Sequence, residues 1–127
     1  MKGFVDGSGR AILQILVLNG ANGREQIIEA WVDTGFTGDL VIPRSIIDSL
    51  DLEPSGAIDG ALADRTQTQL ETYNCHLEWF GRNRSLEVIA NSGDMSLLGV
   101  GLLLAKELTI DYTNLKLSLN PSGRKRS

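Results

Sequence analysis

The sequence predicts an all-β domain with one or two short helices. Apolar runs of strand length recur along the chain, and glycine-rich turns separate them, for example at residues 6–9 and 19–23. The chain has 127 residues, of which 42% are hydrophobic and 22% are charged, as is usual for one globular domain. We therefore expect a single β-rich fold around one core.

The predicted strands follow the apolar runs in chain order. They lie at residues 3–5, 11–18, 26–33, 57–63, 66–78, 86–90, 108–112 and 115–119. Short turns join the first three strands, which indicates an antiparallel meander. A short helix is predicted at residues 43–50, because Pro43 suits a first helical turn and apolar residues recur at helical spacing. A second short helix is predicted at residues 102–107.

Composition and charge argue against several classes of protein. The formal net charge is −4, which is not typical of a protein that binds nucleic acid. With one cysteine, Cys75, and one histidine, His76, neither an intrachain disulfide nor a transition-metal site is expected, and no cofactor is predicted. Because these two residues are adjacent on a predicted strand, they point to opposite faces and do not form a nucleophile pair.

Location and domain organisation follow from the apolar pattern. No run approaches the ~20 apolar residues that a membrane span needs, and the first residues lack the apolar segment of a signal peptide. The sequence therefore predicts a soluble, cytoplasmic protein without a membrane partner. Residues 1–120 are predicted to form the folded lobe, and residues 121–127 a basic, mobile tail.

The candidate chemistry lies in the motif Asp33-Thr34-Gly35, which follows one apolar strand and precedes a second apolar run. Asp and Gly are common in turns, so the motif alone also fits a turn in which Asp33 caps backbone groups. A second motif, Leu97-Leu98-Gly99, comes later in the chain, and a hairpin long enough to cover a cleft lies between the two.

This pattern resembles that of retropepsin-like aspartic proteases, in particular the small single-lobe bacterial members, over residues 11–119. Asp33-Thr34-Gly35 is similar to the active-site motif of that family, and Leu97-Leu98-Gly99 to its hydrophobic-hydrophobic-glycine motif. Residues 61–73 are similar to its flap hairpin. The resemblance implies a closed acid-protease barrel with one lobe per chain.

The resemblance also implies an aspartic endopeptidase that acts on a peptide or protein substrate as a homodimer. Each chain would supply one catalytic Asp33, and two such carboxylates would share one proton and act as base and acid. The Thr34 hydroxyls would lock the two loops together across an isologous interface, and a sheet made from the chain termini would complete that interface. Thr37 and Val100 stand where the family often has a paired Asp and Arg, so one familiar support of the dimer is absent.

The expected site residues fall into two groups beside Asp33. Support of the active-site loop is assigned to Thr34, Gly35, Thr37, Leu97, Leu98 and Gly99, and substrate binding to Trp31, Phe36, Leu62, Ala63, Asp64 and Arg65. Trp31 is included because side chains on a strand alternate with period two, so Trp31 shares the face of Asp33 while Ala30 and Val32 point to the core. The alternative is that Trp31 is simply buried.

Two other functions remain open from the residues alone. One is a catalytically silent module of the same fold that binds proteins. The other is an unrelated β-barrel that binds a ligand, in which Asp33 only caps a turn.

Overall fold

The structure is a computed structural model, and it describes residues 1–61 and 67–123. Within these ranges the chain forms ten strands and two short helices. Their order is β1 (Lys2–Val5), β2 (Ala11–Leu18), β3 (Glu25–Val32), β4 (Leu40–Pro43), α1 (Arg44–Leu50), β5 (Pro54–Ala61), β6 (Gln67–Trp79), β7 (Arg82–Asn91), β8 (Ser96–Leu98), α2 (Val100–Leu103), β9 (Lys106–Asp111) and β10 (Lys116–Pro121).

Six of the strands close into a barrel, which confirms the predicted all-β fold class. Their order around the barrel is β2, β3, β8, β4, β7 and β6, and β6 pairs again with β2. Most neighbours are antiparallel, whereas β8 is parallel to β3 and β4 is parallel to β7. The antiparallel pairing of β1, β2 and β3 is the predicted meander.

The core fills the barrel, and strand alternation explains which residues enter it. On β2, Ala11, Leu13, Ile15 and Val17 belong to the core cluster, so every second side chain points inward, whereas Ile12 is buried on the opposite face. β3 contributes its own inward residues in the same way. The inward residues of the other strands and of α1 complete one hydrophobic cluster, which includes Leu40, Ile42, Ile47, Leu50, Leu77, Val88, Leu98, Leu102, Leu117 and Leu119.

The first and last strands extend the sheet beyond β2. β1 pairs with β2 on one side and with β10 on the other, and β10 pairs with β9. Both β1 and β10 therefore already have two neighbours within one chain.

The helices differ in how well the sequence predicts them. α1 matches the predicted helix, with Pro43 just before its first residue. α2 begins two residues earlier than predicted and ends at Leu103, because Leu104 takes an extended backbone with ψ 137°, and β9 follows two residues later. Neither helix of the described part is long and apolar enough to cross a membrane. Of the predicted tail, Pro121 ends β10, and residues 124–127 lie outside the described residues.

Candidate active site

Asp33 lies directly after β3, where the chain crosses the end of β8 to reach β4. β8 is the strand between β3 and β4 in the barrel, parallel to β3 and antiparallel to β4. The register pairs Val32 with Leu98 and Leu40 with Leu98. The segment from Asp33 to Asp39, here called the Asp33 loop, is therefore held against the end of β8.

Four backbone hydrogen bonds fasten the Asp33 loop to the last residue of β8 and to the three residues after it. The N–H of Asp33 donates to the carbonyl oxygen of Leu98 at 2.9 Å, and the N–H of Gly99 donates to that of Asp39 at 2.9 Å. The N–H of Val100 donates to the carbonyl oxygen of Phe36 at 2.8 Å, and the N–H of Gly101 donates to that of Gly38 at 3.0 Å. The structure thus brings together the two motifs that the sequence singled out.

Gly99 is buried because the loop passes directly over it. A Cβ atom on Gly99 would overlap the carbonyl oxygen of Gly38 and touch the Phe36 ring. This close approach of two backbones is the physical reason for glycine at the end of the second motif. Phe36 is half-buried, and its ring packs on Gly38 and Gly99. The ring therefore supports the loop.

Asp33 is half-buried. Its Oδ1 atom accepts a hydrogen bond from the N–H of Gly35 at 2.9 Å. This is the local turn bond that a structural Asp would make, and it also fixes the orientation of the carboxyl group. Thr34 and Thr37 are exposed on the same loop. The role expected of Thr34, a contact between two loops, requires a second chain.

An apolar row runs across the outside of the barrel beside Asp33. The register aligns its members strand by strand, in the order Phe4, Ile12, Trp31, Leu97, Val41 and Ile89. Directly paired residues share one face of a sheet, and Ala30 and Val32 lie on the opposite face, inside the core. Trp31 remains 39% exposed and lies under the Arg10 guanidinium, whose Cζ is 5.8 Å from the ring centre. Trp31 is thus not a core residue.

Comparison with known proteins gives matches among solved structures. No protein-family model matches the chain, and no curated protein matches it. The chain is similar to a retropepsin-like aspartic protease from Rickettsia conorii, with a TM-score of 0.64 and 18% identity, over 94% of this chain and 89% of that one. It is also similar to the protease of simian foamy virus (mac), with a TM-score of 0.52 and 21% identity, over 72% and 90% of the two chains.

A third match is the EIAV protease complexed with the inhibitor HBY-793, with a TM-score of 0.55 and 15% identity, over 77% of this chain and 88% of that one. The chain has the retropepsin-like fold. At these sequence identities the similarity establishes the fold alone. A catalytic activity has to be argued from this chain's own residues.

A polar cluster that the sequence did not reveal lies at the base of the β5–β6 hairpin of the retropepsin-like barrel. Arg44 Nη1 donates to the Tyr73 hydroxyl at 3.1 Å, and that hydroxyl donates to Glu71 Oε2 at 2.7 Å. Arg44 Nη2 also lies 3.2 Å from Glu71 Oε1. The Tyr73 hydroxyl, followed by the Arg44 charge, lowers the pKa of the Glu71 carboxyl group. The cluster joins β6 to the start of α1.

The predicted residues at the tip of that hairpin, Leu62, Ala63, Asp64 and Arg65, lie outside the described residues. Within the described ranges, no group of His, Cys, Asp and Glu side chains is arranged to hold a metal ion. Cys75 is buried in the core, and burial raises the pKa of its thiol to about 11. His76 is on the other face of β6, where its Nδ1 lies 2.7 Å from Asn83 Oδ1. Cys75 and His76 therefore lie on opposite faces of the strand, as predicted from their adjacent positions in the sequence.

Proposed function

We propose that the protein is an aspartic endopeptidase whose active site forms when two chains each contribute Asp33. The observation that carries this proposal is the anchoring of Asp33. The backbone N–H of Asp33 is hydrogen-bonded to Leu98, and the N–H of Gly35 orients its carboxyl group. The apolar row passes through Trp31, two residues before Asp33. A turn that only connected two strands would not need this support from a distant segment.

The chemistry requires two carboxyl groups, and the sequence contains a single Asp-Thr-Gly motif, at Asp33. Two carboxyl groups held close together cannot both ionise easily, so they share one proton. The ionised group takes a proton from a water molecule while the water oxygen attacks the peptide carbonyl carbon. The other group gives its proton to the amide nitrogen as the carbon–nitrogen bond breaks. No metal ion or side-chain nucleophile takes part in these steps.

The apolar row offers a surface for an extended peptide substrate. Trp31 and Phe4 are each more than a third exposed in the isolated chain, and Leu97 between Trp31 and Val41 is half-buried. Burial of a substrate side chain against such residues supplies binding free energy, at roughly 25 cal/mol per Å² of apolar surface. We therefore expect a preference for substrates with large apolar side chains next to the cleaved bond.

The proposal is tested with three purified proteins, wild type, Asp33→Asn and Asp94→Asn, on a mixture of peptides from acidic to neutral pH. Asp94 is an exposed residue in a bend and serves as the matched control. We expect cleavage by wild type and by Asp94→Asn, and none by Asp33→Asn at an unchanged melting temperature. Cleavage by Asp33→Asn at the wild-type rate would refute the assignment. Peptide binding without cleavage by the wild-type dimer would favour the silent binding module.

A further inference from the structure

A pocket of about 490 Å³ lies at the turn between β6 and β7, at the end of β6 that does not pair with β5. Its volume is in the range of pockets that hold small molecules. The pocket is lined by Trp79, Phe80, Arg82, Asn83, Arg84 and Lys106. None of these residues is an Asp or a Glu, and none belongs to the Asp33 loop or to the apolar row. The pocket therefore shares no residue with the candidate active site.

Two arginines of the pocket lie on the face of β7 that elsewhere forms the core. The inward residues at the other end of β7 are Leu86, Val88 and Ala90, which are buried. Strand alternation places Arg82 and Arg84 on the same face. The register agrees, since Arg84 pairs with Leu77 and Arg82 with Trp79, and both partners are buried. The inward face of β7 thus ends in two positive charges instead of apolar side chains.

No carboxyl group compensates the charges of the pocket. No ion pair within residues 1–61 and 67–123 involves Arg82, Arg84 or Lys106. Lys106 Nζ instead lies 4.9 Å from the centre of the Phe80 ring. Because the formal net charge of the chain is −4, this concentration of positive charge does not follow from the overall composition. Positive charges held close together repel each other, and a bound anion would relieve that repulsion.

The aromatic wall of the pocket contains a strained residue and an unpaired donor. Phe80 and Gly81 form the two-residue turn with φ 52° and 79°, a conformation that favours Asn over a bulky residue at the first position. The Phe80 ring packs edge-on against Trp79, with 5.1 Å between the ring centres. Trp79 Nε1 is buried and has no acceptor among the described residues, whereas buried donors are nearly always hydrogen-bonded. An acceptor supplied by a ligand would remove this deficit.

We propose that this pocket binds a small molecule with a diphosphate group, which Arg82, Arg84 and Lys106 hold beside Trp79. The arginine guanidinium matches phosphate oxygens with two parallel hydrogen bonds, and lysine adds a point charge. Three positive charges fit a diphosphate, which carries several negative charges, better than a carboxylate, which carries a single one. The site goes beyond the proposed function and does not depend on it, since neither site uses a residue of the other.

Calorimetric titration with pyrophosphate at constant ionic strength tests the proposal on wild type and on two variants of equal net charge. Arg82→Gln/Arg84→Gln removes two charges from the pocket, and Lys2→Gln/Arg24→Gln removes two exposed charges elsewhere. We expect a Kd of about 1 mM or lower for wild type and the control, and a Kd at least about tenfold higher for the pocket variant. Equal Kd values for the two variants, or no binding by wild type, would overturn the proposal.

A third variant tests the pocket without changing the β6–β7 hairpin. Lys106 begins β9, so Lys106→Gln removes a charge from the opposite wall. Its Kd for pyrophosphate should rise about three- to tenfold at an unchanged melting temperature, because one charged hydrogen bond is lost. A Kd equal to that of wild type would contradict the assignment of Lys106 to the site.

Nuclear magnetic resonance locates the bound anion. The chain has two tryptophans, and the variant Trp31→Phe identifies which indole N–H signal belongs to Trp79. Pyrophosphate should shift the Trp79 signal with the Kd found by calorimetry and leave the Trp31 signal in place. A shift of the Trp31 signal alone, or of neither signal, would place the anion outside the pocket and refute the proposal.

The same titration with a nucleoside diphosphate separates two sources of the diphosphate group. Binding tighter than that of pyrophosphate supports an organic diphosphate, whose remainder fills the rest of the pocket. Equal or weaker binding supports inorganic diphosphate. Acetate at the same ionic strength is the control for charge alone, and acetate that binds as tightly as pyrophosphate would contradict the preference for phosphate.

Discussion

Asp33 and Leu98 are joined by a backbone hydrogen bond of 2.9 Å, from the N–H of Asp33 to the carbonyl oxygen of Leu98. These residues are far apart in the sequence, and their meeting depends on β8 lying between β3 and β4. The position of the Asp33 loop is therefore set by the barrel and not by the turn sequence alone. Perturbing the contact from the Gly99 side should disturb the loop without touching Asp33.

Gly99→Ala should destabilise the protein and displace the Asp33 loop, because the new methyl group would overlap the carbonyl oxygen of Gly38. Forcing a methyl group into a packed site costs about 1–3 kcal/mol of unfolding free energy. The measurement is urea unfolding of the variant beside wild type. Gly7→Ala is the matched control, since a Cβ at Gly7 meets no atom within 4 Å. Equal unfolding midpoints for the two variants would show that the loop does not press on Gly99.

Trp31→Ala should change substrate preference more than stability, whereas Trp79→Ala should do the reverse. Trp31 is 39% exposed in the apolar row, and Trp79 is 4% exposed in the core. Truncating a buried tryptophan costs about 3–5 kcal/mol, and we expect about 1 kcal/mol or less at Trp31. The measurements are thermal unfolding and kcat/KM on peptides that differ beside the cleaved bond. Unchanged preference with a large loss of stability in Trp31→Ala would indicate a purely structural role.

Cys75 should make stability fall as pH rises above about 9. Burial raises the pKa of its thiol from 9.0 to about 11, so the folded protein favours the neutral thiol. The stabilisation is complete below the unfolded value and is lost as pH rises through the folded value, by about 3 kcal/mol. Cys75→Ala lacks this titration. The unfolding free energy of wild type minus that of Cys75→Ala should decrease between pH 9 and 11, and a constant difference would contradict the shift.

Tyr73→Phe should remove the link between Arg44 and Glu71 at the hairpin base. Because the pKa of Glu71 is lowered in the folded protein, the stabilisation is present above its ordinary value of 4.5 and is lost as pH falls. The unfolding free energy of wild type should therefore exceed that of the variant more at neutral pH than well below 4.5. Tyr112→Phe, at an exposed site, is the control. A difference that does not change with pH would show that Glu71 is not stabilised by the hydroxyl.

The sequence predicted the parts of the fold that local pattern controls. The bounds of β2 match the predicted strand because it is an apolar run with glycine-rich turns on both sides, and Trp31 lies outside the core as strand alternation required. β8 was not predicted as a strand, because three residues are too few to show a period. α2 was placed too late, because its start depends on bonds to the distant Asp33 loop.

Parts of the candidate site were likewise visible in the sequence, and other parts were not. Both motifs were visible in the sequence, and the structure joins them through the hydrogen bond between Asp33 and Leu98. The cluster of Arg44, Tyr73 and Glu71 was not predicted, since its members come from separate elements and no spacing links them.

The most direct test of the shared active site is a mixing experiment with wild type and Asp33→Asn. After the subunits have exchanged, the rate of peptide cleavage is measured as the fraction of the variant increases at constant total protein. If both Asp33 residues are needed, only dimers of two wild-type chains are active, and the rate falls as the square of the wild-type fraction. A rate that falls in direct proportion to the wild-type fraction would show that each chain acts alone and would contradict the account.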